Sequence, residues 1–369
     1  MPGDRGISFI KIYNSMTRDE YTKFEASFKN SPHVVLLGAG ASCAAIPQGD
    51  RNGLKISAMD NFIQNLGLGG ILNGIELHTN SKNLEVIYQE LAERAVSEID
   101  CQQALSSLEK SVWSYMSKFE LPDSPTVYDY LLLSMTKKDV IATFNWDPLL
   151  VQAYMRVARF TRNLPELLFL HGNVAIGFCE HEGTTIAGPV GGVSPYGEEF
   201  EPSPLLFPIK EKGYNKHVAI ARSWEMLQRF LSNAYMVTIF GYSAPESDVE
   251  AIALLSGGWG DPSKRRFEQI EIIDIATDRD YEKIWEKFIF SSHYQVCRSF
   301  FESSLGKYPR RTCEAIFDQN MNVQWLNPDK GWLADTSFEQ FYLKLSSLFI
   351  EERKPRERPY LSHPYILEF

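Results

Sequence analysis

Residues 33–47 read HVVLLGAGASCAAIP, an apolar strand running straight into a glycine-alanine-glycine turn followed by small residues. In an open α/β sheet the ligand crevice lies at the carboxyl ends of the strands. Glycines there let backbone N–H groups approach a phosphate with no Cβ in the way. Gly38, Ala39, Gly40, Ala41 and Ser42 are therefore candidates for holding a pyrophosphate. Cys43 occupies the third glycine position of GxGxxG, however, and a tight strand-to-helix turn explains the same residues.

Upstream, Thr17 and Glu20 form a capping-box pattern ahead of Tyr21, Phe24 and Phe28, which predicts a short helix before the first strand. Downstream lies a region of helical character at about 55–125. It starts near Ser57 and Asp60 and includes Leu105, Leu108, Val112, Met116 and Phe119 at helical spacing. Ser124 and Pro125 are read as the cap and first residue of the next helix. Apolar strands at 139–144, 167–171, 236–241 and 270–276 then alternate with helices, which predicts an α/β fold: a Rossmann-like parallel sheet with helices on both faces. The Gly- and Pro-rich stretch 177–215 suggests short β pieces and a long loop or lid. Beyond 277 the chain reads as mostly helical, and no internal repeat is found.

The chain has 369 residues, 44% of them hydrophobic, enough for a substantial core. A formal net charge of −10 disfavours unaided binding to nucleic acid, so no direct sequence-specific contact with it is expected. There is no run of about 18 apolar residues and no secretory signal pattern, so no membrane association and a cytoplasmic location are expected. Cys43, Cys101, Cys179, Cys297 and Cys313 are scattered, odd in number and never in a CxxC pair, which argues against disulfides and against a structural zinc site.

Four further strand ends carry polar clusters. In ATFNWDP (142–148), Thr143 ends the strand, and Asn145 and Asp147 point to one side of an extended chain. Asp147 with Pro148 also fits a helix cap, a role that Asn145 lacks. In FLHGN (169–173), His171 is a candidate general base, or a structural histidine. In IFGYSAPESD (239–248), Gly241 and Ser243 are candidates for ribose or phosphate, and Ser247 or Asp248 for a helix cap. Asp274, in EIIDIA, either bonds a ribose hydroxyl or caps a turn.

The succession GAGAS, TFNWD, LHG, FGYS and a strand with an acid, over roughly residues 30–280, resembles the sirtuin family, and most of all the divergent sirtuin-like NADases of bacterial antiviral defence. The resemblance implies that residues 38–42 hold the diphosphate of NAD. It puts Thr143, Asn145 and Asp147 near the nicotinamide end, makes His171 the base, and lets Gly241 and Ser243 contact ribose, with Asp274 a looser match. It further implies a catalytic unit over 1–280 with the helical insertion, and a helical extension over 281–369 packed on it. Two departures bear on activity. Only Cys179, with His181 nearby, stands where deacylases keep four zinc-binding cysteines, too few for a tetrahedral structural site. The resemblance makes Pro47 a contact to NAD as well, but the stretch Ala45, Ile46, Pro47 is followed by Gln48, Gly49 and Asp50, so the family's nicotinamide-shielding Phe and its Arg are missing.

The expected function is thus NAD hydrolysis without a metal, releasing nicotinamide and ADP-ribose, in a regulated effector that depletes NAD in antiviral defence. A noncatalytic NAD or ADP-ribose sensor and an NAD-dependent protein deacylase are the alternatives. The resemblance also implies a homo-oligomer and a hexameric DNA-translocase ATPase as partner. Phe300, Phe301, Phe338, Phe341 and Tyr342 suit either subunit contacts or core packing.

Overall fold

All five residues of β1 (His33–Leu37) are buried, as expected of a strand covered on both faces. Their alternation divides the core. Val35 and Leu37 join one cluster and Val34 and Leu36 the other, one on each side of the sheet. In the computed structural model, which describes residues 16–56, 62–207, 213–214, 217–245, 248–276, 278–289, 293–327, 331–354 and 359–361, β1 is the third strand of a six-stranded sheet.

It pairs in parallel with β2 (Val140–Thr143) on one side and β7 (Met236–Phe240) on the other. β3 (Glu166–Phe169) extends the sheet beyond β2, and β8 (Gln269–Ile273) and β9 (Tyr294–Cys297) extend it beyond β7, all in parallel. The spatial order is β3-β2-β1-β7-β8-β9, the doubly wound order in which the chain reverses direction across the sheet between β1 and the fourth parallel strand. The expected fold class is the observed one. β9 departs from the reading of a mostly helical stretch beyond 277. Four residues with Gln295 among them, paired on one side only, carry too little apolar signal to be read as a strand.

One face of the sheet is covered by the helices that follow β1 and by the C-terminal helix. α1 (Arg18–Lys29) precedes β1 and closes its expected capping box through Thr17 and Glu20. α2 (Ala39–Ala45) follows β1 directly. The insertion contains α3 (Phe62–Asn65), a 3-10 turn (Leu68–Leu72), α4 (Leu84–Arg94) and α5 (Ile99–Met116). α5 buries Cys101, Ala104, Leu108, Val112 and Met116 at helical spacing in the core cluster that holds Val35. α6 (Val127–Leu133) starts two residues later than expected, because Thr126 rather than Ser124 forms a capping box with Asp129. α7 (Leu149–Val157) follows β2.

Residues after β3 form a small antiparallel sheet, β5-β4-β6, from β4 (Ile176–His181), β5 (Thr184–Pro189) and β6 (Glu201–Pro202). The other face is covered by α8 (Val218–Asn233), α9 (Val249–Trp259) and α10 (Tyr281–Ile284). α11 (Ser304–Lys307), α12 (Thr312–Met321) and α13 (Phe338–Arg353) complete the chain. Phe341 of α13 lies buried, edge-on to Tyr130 at 5.2 Å, so this part of the aromatic C-terminus serves the core, whereas Tyr342 is exposed. Among the described residues no helix is long and apolar enough to cross a membrane. Ser57, Asp60, Ser247 and residues 1–15 and 362–369 lie outside the described residues.

Candidate functional site

The turns after β1 and β7 meet at the point where the strand order reverses. Gly38 N–H donates to Phe240 O at 3.0 Å and Gly40 N–H to Gly241 O at 3.0 Å, so backbone lies on backbone. A Cβ on Gly38 would sit 2.5 Å from Gly241 O. Gly241 has φ +63°, and a Cβ there would lie 2.5 Å from Ala41 N. Glycine is thus required at Gly38, Gly40 and Gly241 by the contact between the two turns. That contact occupies the N–H groups of Gly38 and Gly40, which the sequence reading assigned to phosphate.

Beneath the turn lies a buried polar hub. Ser42 Oγ is 2.7 Å from Asp147 Oδ2 and 2.7 Å from the Tyr128 hydroxyl, and it receives Asn145 Nδ2–H at 2.9 Å. Burial and the nearby Asp147 hold the Tyr128 phenol well above its usual range, so it keeps its proton and donates to Ser42, which donates to Asp147. Burial pushes the Asp147 carboxyl up, opposed by the Ser42 hydroxyl and the Leu149 N–H. The expected cap role is met in part: Leu149 N–H bonds Asp147 Oδ1 at 3.1 Å, while Pro148 is the N-cap residue. Asn145 Nδ2 also donates to Gly38 O at 2.9 Å, tying β2 to the glycine turn. Its Oδ1 accepts nothing from the described residues. Asn173, absent from the sequence expectations, holds this segment by donating Nδ2–H to Asp147 O at 2.7 Å.

His171 follows β3, and its buried ring stands edge-on to Phe144 at 4.9 Å. Its Nε2 lies 2.8 Å from the Tyr214 hydroxyl, which burial pushes above the phenol range and so keeps protonated. Gly172 has φ +80° and would place a Cβ 1.9 Å from Pro204 O, so the glycine of the HG pair has a backbone reason of its own. Phe144 stacks on Tyr242 at 4.1 Å, and the Tyr242 hydroxyl donates to Asp248 Oδ2 at 2.7 Å.

These strand ends open onto one cavity of about 350 Å³. Of the residues expected to act together, Gly38, Ala39, Asn145, Asp147, His171, Gly241 and Ser243 line it. The others do not. Gly40 and Ala41 belong to the turn-to-turn contact, and Ser42 is fully buried below it. Pro47 is exposed past the end of α2, and Thr143 is buried with Oγ1 accepting Asn145 N–H at 3.0 Å. Asp274 accepts Ala276 N–H at 3.0 Å and pairs with Arg279 at 2.7 Å, the turn-capping alternative. The insertion supplies a wall with Ile56, Asn83, Glu85 and Met116. Three carboxylates, on Glu85, Asp147 and Asp248, line the cavity, and no Lys or Arg does so among the described residues. Such a lining favours a ligand group that carries or develops positive charge. Among the described residues no group of three or more His, Cys, Asp or Glu side chains is arranged to hold a metal; Cys179 is buried in β4, and His181 stacks on Tyr196 at 3.8 Å.

No protein-family profile matches the sequence. No curated protein matches it either. Among solved structures, a sirtuin studied for substrate affinity is similar at 12% identity and TM-score 0.37, covering 83% of this chain and 100% of that one. Sir2Tm bound to a propionylated peptide is similar at 14% identity and TM-score 0.35, covering 84% and 99%. A mutant Sir2 homologue in complex with ADP-ribose is similar at 14% identity and TM-score 0.35, covering 85% and 100%. Likeness of this size leaves family and activity to be argued from the chain's own residues.

Proposed function

We propose that the chain binds NAD at this cavity and cleaves its nicotinamide–ribose bond with water, releasing nicotinamide and ADP-ribose. The observation that carries the proposal is the convergence of Asn145 and His171 on one cavity with three carboxylates and, among the described residues, no cation. Cleavage builds positive charge on the ribose while nicotinamide leaves neutral, so the stabilising side chains must be anionic and fixed in place before reaction. Asp147 is fixed by Ser42 and Leu149, and Asp248 by Tyr242.

Asn145, with Nδ2 committed to Gly38 O and Ser42, presents Oδ1 to a water or a ribose hydroxyl. As water adds to the anomeric carbon, the C–N bonding pair departs with nicotinamide and the proton of the water passes to His171. The Tyr214 hydroxyl orients that imidazole. The purified chain should release nicotinamide from NAD, followed by chromatography. His171→Ala should lower the rate by about 10²- to 10⁴-fold with an unchanged circular dichroism spectrum. Full activity in that variant removes the mechanism, and tight NAD binding without turnover makes the chain a sensor. Strict dependence of NAD loss on an acylated peptide makes it a deacylase.

A free NAD hydrolase is toxic to its own cell, so the proposal includes restraint by assembly. The homo-oligomer and the hexameric DNA-translocase ATPase implied by the resemblance are the partners to test, by light scattering and by nicotinamide release with and without the ATPase. A cytoplasmic role in antiviral defence belongs to the same proposal.

A further inference from the structure

We propose that the chain carries a second ligand site, for a diphosphate group, at the opposite pole of the sheet. A cavity of about 530 Å³ lies at the amino ends of β1, β2 and β3, where the first cavity lies at their carboxyl ends. Six cationic side chains line it: Lys137, Lys138, Arg162, Arg310, Arg311 and Arg353. Two carboxylates, Glu314 and Glu352, oppose them.

Two lining side chains have buried polar atoms without a partner, Arg311 and, at Oε2, Glu314. Arg310 spends its guanidinium within the protein: Nε donates to Glu352 Oε1 at 2.7 Å, Nη1 to Met135 O at 3.0 Å, and Nη2 to Asn163 O at 3.1 Å and Glu352 Oε2 at 2.6 Å. Arg311 is 1% exposed, yet only its Nη1 is engaged, by Arg310 O at 2.8 Å and Glu352 Oε1 at 3.0 Å. Its Nε and Nη2 have no partner. Glu352 has nothing left for them, since Asn163 Nδ2 also donates to its Oε2 at 2.8 Å. A buried guanidinium with unpaired N–H groups is costly, and an anion removes that cost.

Three further features point the same way. Arg311 is the N-cap residue of α12, so two guanidiniums stand at the positive end of a ten-residue helix that has no side-chain cap. Arg310 is held at φ +67°, a conformation that side chains other than glycine rarely adopt. Lys137, Arg162 and Arg353, at the rim, have no ion-pair partner among the described residues. A buried, partly unpaired guanidinium behind exposed surface cations suits a group with several charged oxygens close together. A diphosphate has that form, and Thr136, Thr161 and Asn163 add polar contacts.

The test is calorimetric titration of the full chain with inorganic pyrophosphate, ADP and adenosine. Wild type should bind pyrophosphate and ADP. Lys137→Glu with Arg162→Glu, both exposed, should weaken both by about tenfold or more. Lys110→Glu, an exposed reversal elsewhere, should leave them unchanged and so control for net charge. Tighter binding of ADP than of pyrophosphate assigns a nucleotide; equal binding assigns the free diphosphate. The site is refuted if wild type fails to bind pyrophosphate at about 10 mM, or if the double reversal leaves its affinity unchanged. Because both reversed residues lie away from the first cavity, failure here leaves the NAD proposal standing, and the His171→Ala assay tests that separately.

Discussion

Ser42→Ala distinguishes two roles for this side chain, ligand to a phosphate and centre of the buried hub. As a phosphate ligand, Ser42 would affect NAD binding and little else. As the centre of the buried hub it donates to Asp147 and accepts from Tyr128 and Asn145. A hydrogen bond to a charged group contributes about 1.5–3 kcal/mol and a neutral one about 0.5–1.5 kcal/mol. Tyr128 and Asn145 keep a mutual contact at 3.3 Å, which offsets part of the loss. The net expectation is about 3 kcal/mol of lost stability, a fall of about 5–10 °C in Tm. The loss should also depend on pH. The folded pKa of Asp147 is raised, so the folded state binds its proton more readily than the unfolded state, and stability from this group falls as pH rises through that pKa. Removing the Ser42 donor raises the pKa further. The deficit should therefore be largest above the folded pKa and shrink as the solution is acidified through it. Urea denaturation of both proteins at several pH values measures this. A deficit below about 1 kcal/mol, or one that grows toward acid, refutes the hub.

Two further outcomes follow from the same geometry. Gly241→Ala combines a left-handed φ with a Cβ 2.5 Å from Ala41 N, whereas Gly197→Ala has φ +87° in open space. The first should cost more than about 3 kcal/mol or abolish soluble expression, the second about 1–2 kcal/mol, as read by thermal melts; equal losses refute the turn-to-turn contact. Glu85→Gln removes one of the three cavity carboxyl groups, the one on the insertion wall. Nicotinamide release should fall about tenfold in kcat/KM, more at low salt than at high, and an unchanged rate argues against a cation-stabilising cavity.

The parallel sheet was legible because its central strands are nearly all apolar and each ends in a polar cluster, so strand and candidate site were marked by the same residues. β9 escaped because an edge strand of four residues needs only one apolar neighbour, and Gln295 masks its period. The convergence of Asn145 and His171 was inferable from strand ends alone, since doubly wound sheets bring those ends to one crevice. Side-chain direction was not. Nothing local distinguishes Ser42 facing a ligand from Ser42 facing Asp147, 105 positions away. Glu85 and Tyr214 were invisible for the same reason: each reaches its place through packing of a separate segment, α4 for one and the stretch before α8 for the other. Helix starts shifted by one or two residues because Thr126 and Ser124 are both competent caps, and only Thr126 has an acid three residues on.

The charge distribution constrains how a dinucleotide would sit. Diphosphate oxygens placed deep in the first cavity would meet Glu85, Asp147 and Asp248, and the Gly38 and Gly40 N–H groups are already taken. Under the proposed function the favourable placement would put the nicotinamide ribose inward, between Asn145 and His171, with the phosphates outward past Ala39 and Ser243. In that orientation repulsion from the carboxylates would fall on ADP-ribose only at its outer end, while the cationic nicotinamide of NAD would be drawn in first. Binding should then tighten for NAD relative to ADP-ribose as ionic strength is lowered, because only the substrate brings a positive group to the acidic wall. Equilibrium titration of His171→Ala with both ligands at two salt concentrations measures this ratio. A ratio that does not change with salt, or changes in favour of ADP-ribose, contradicts the inward placement.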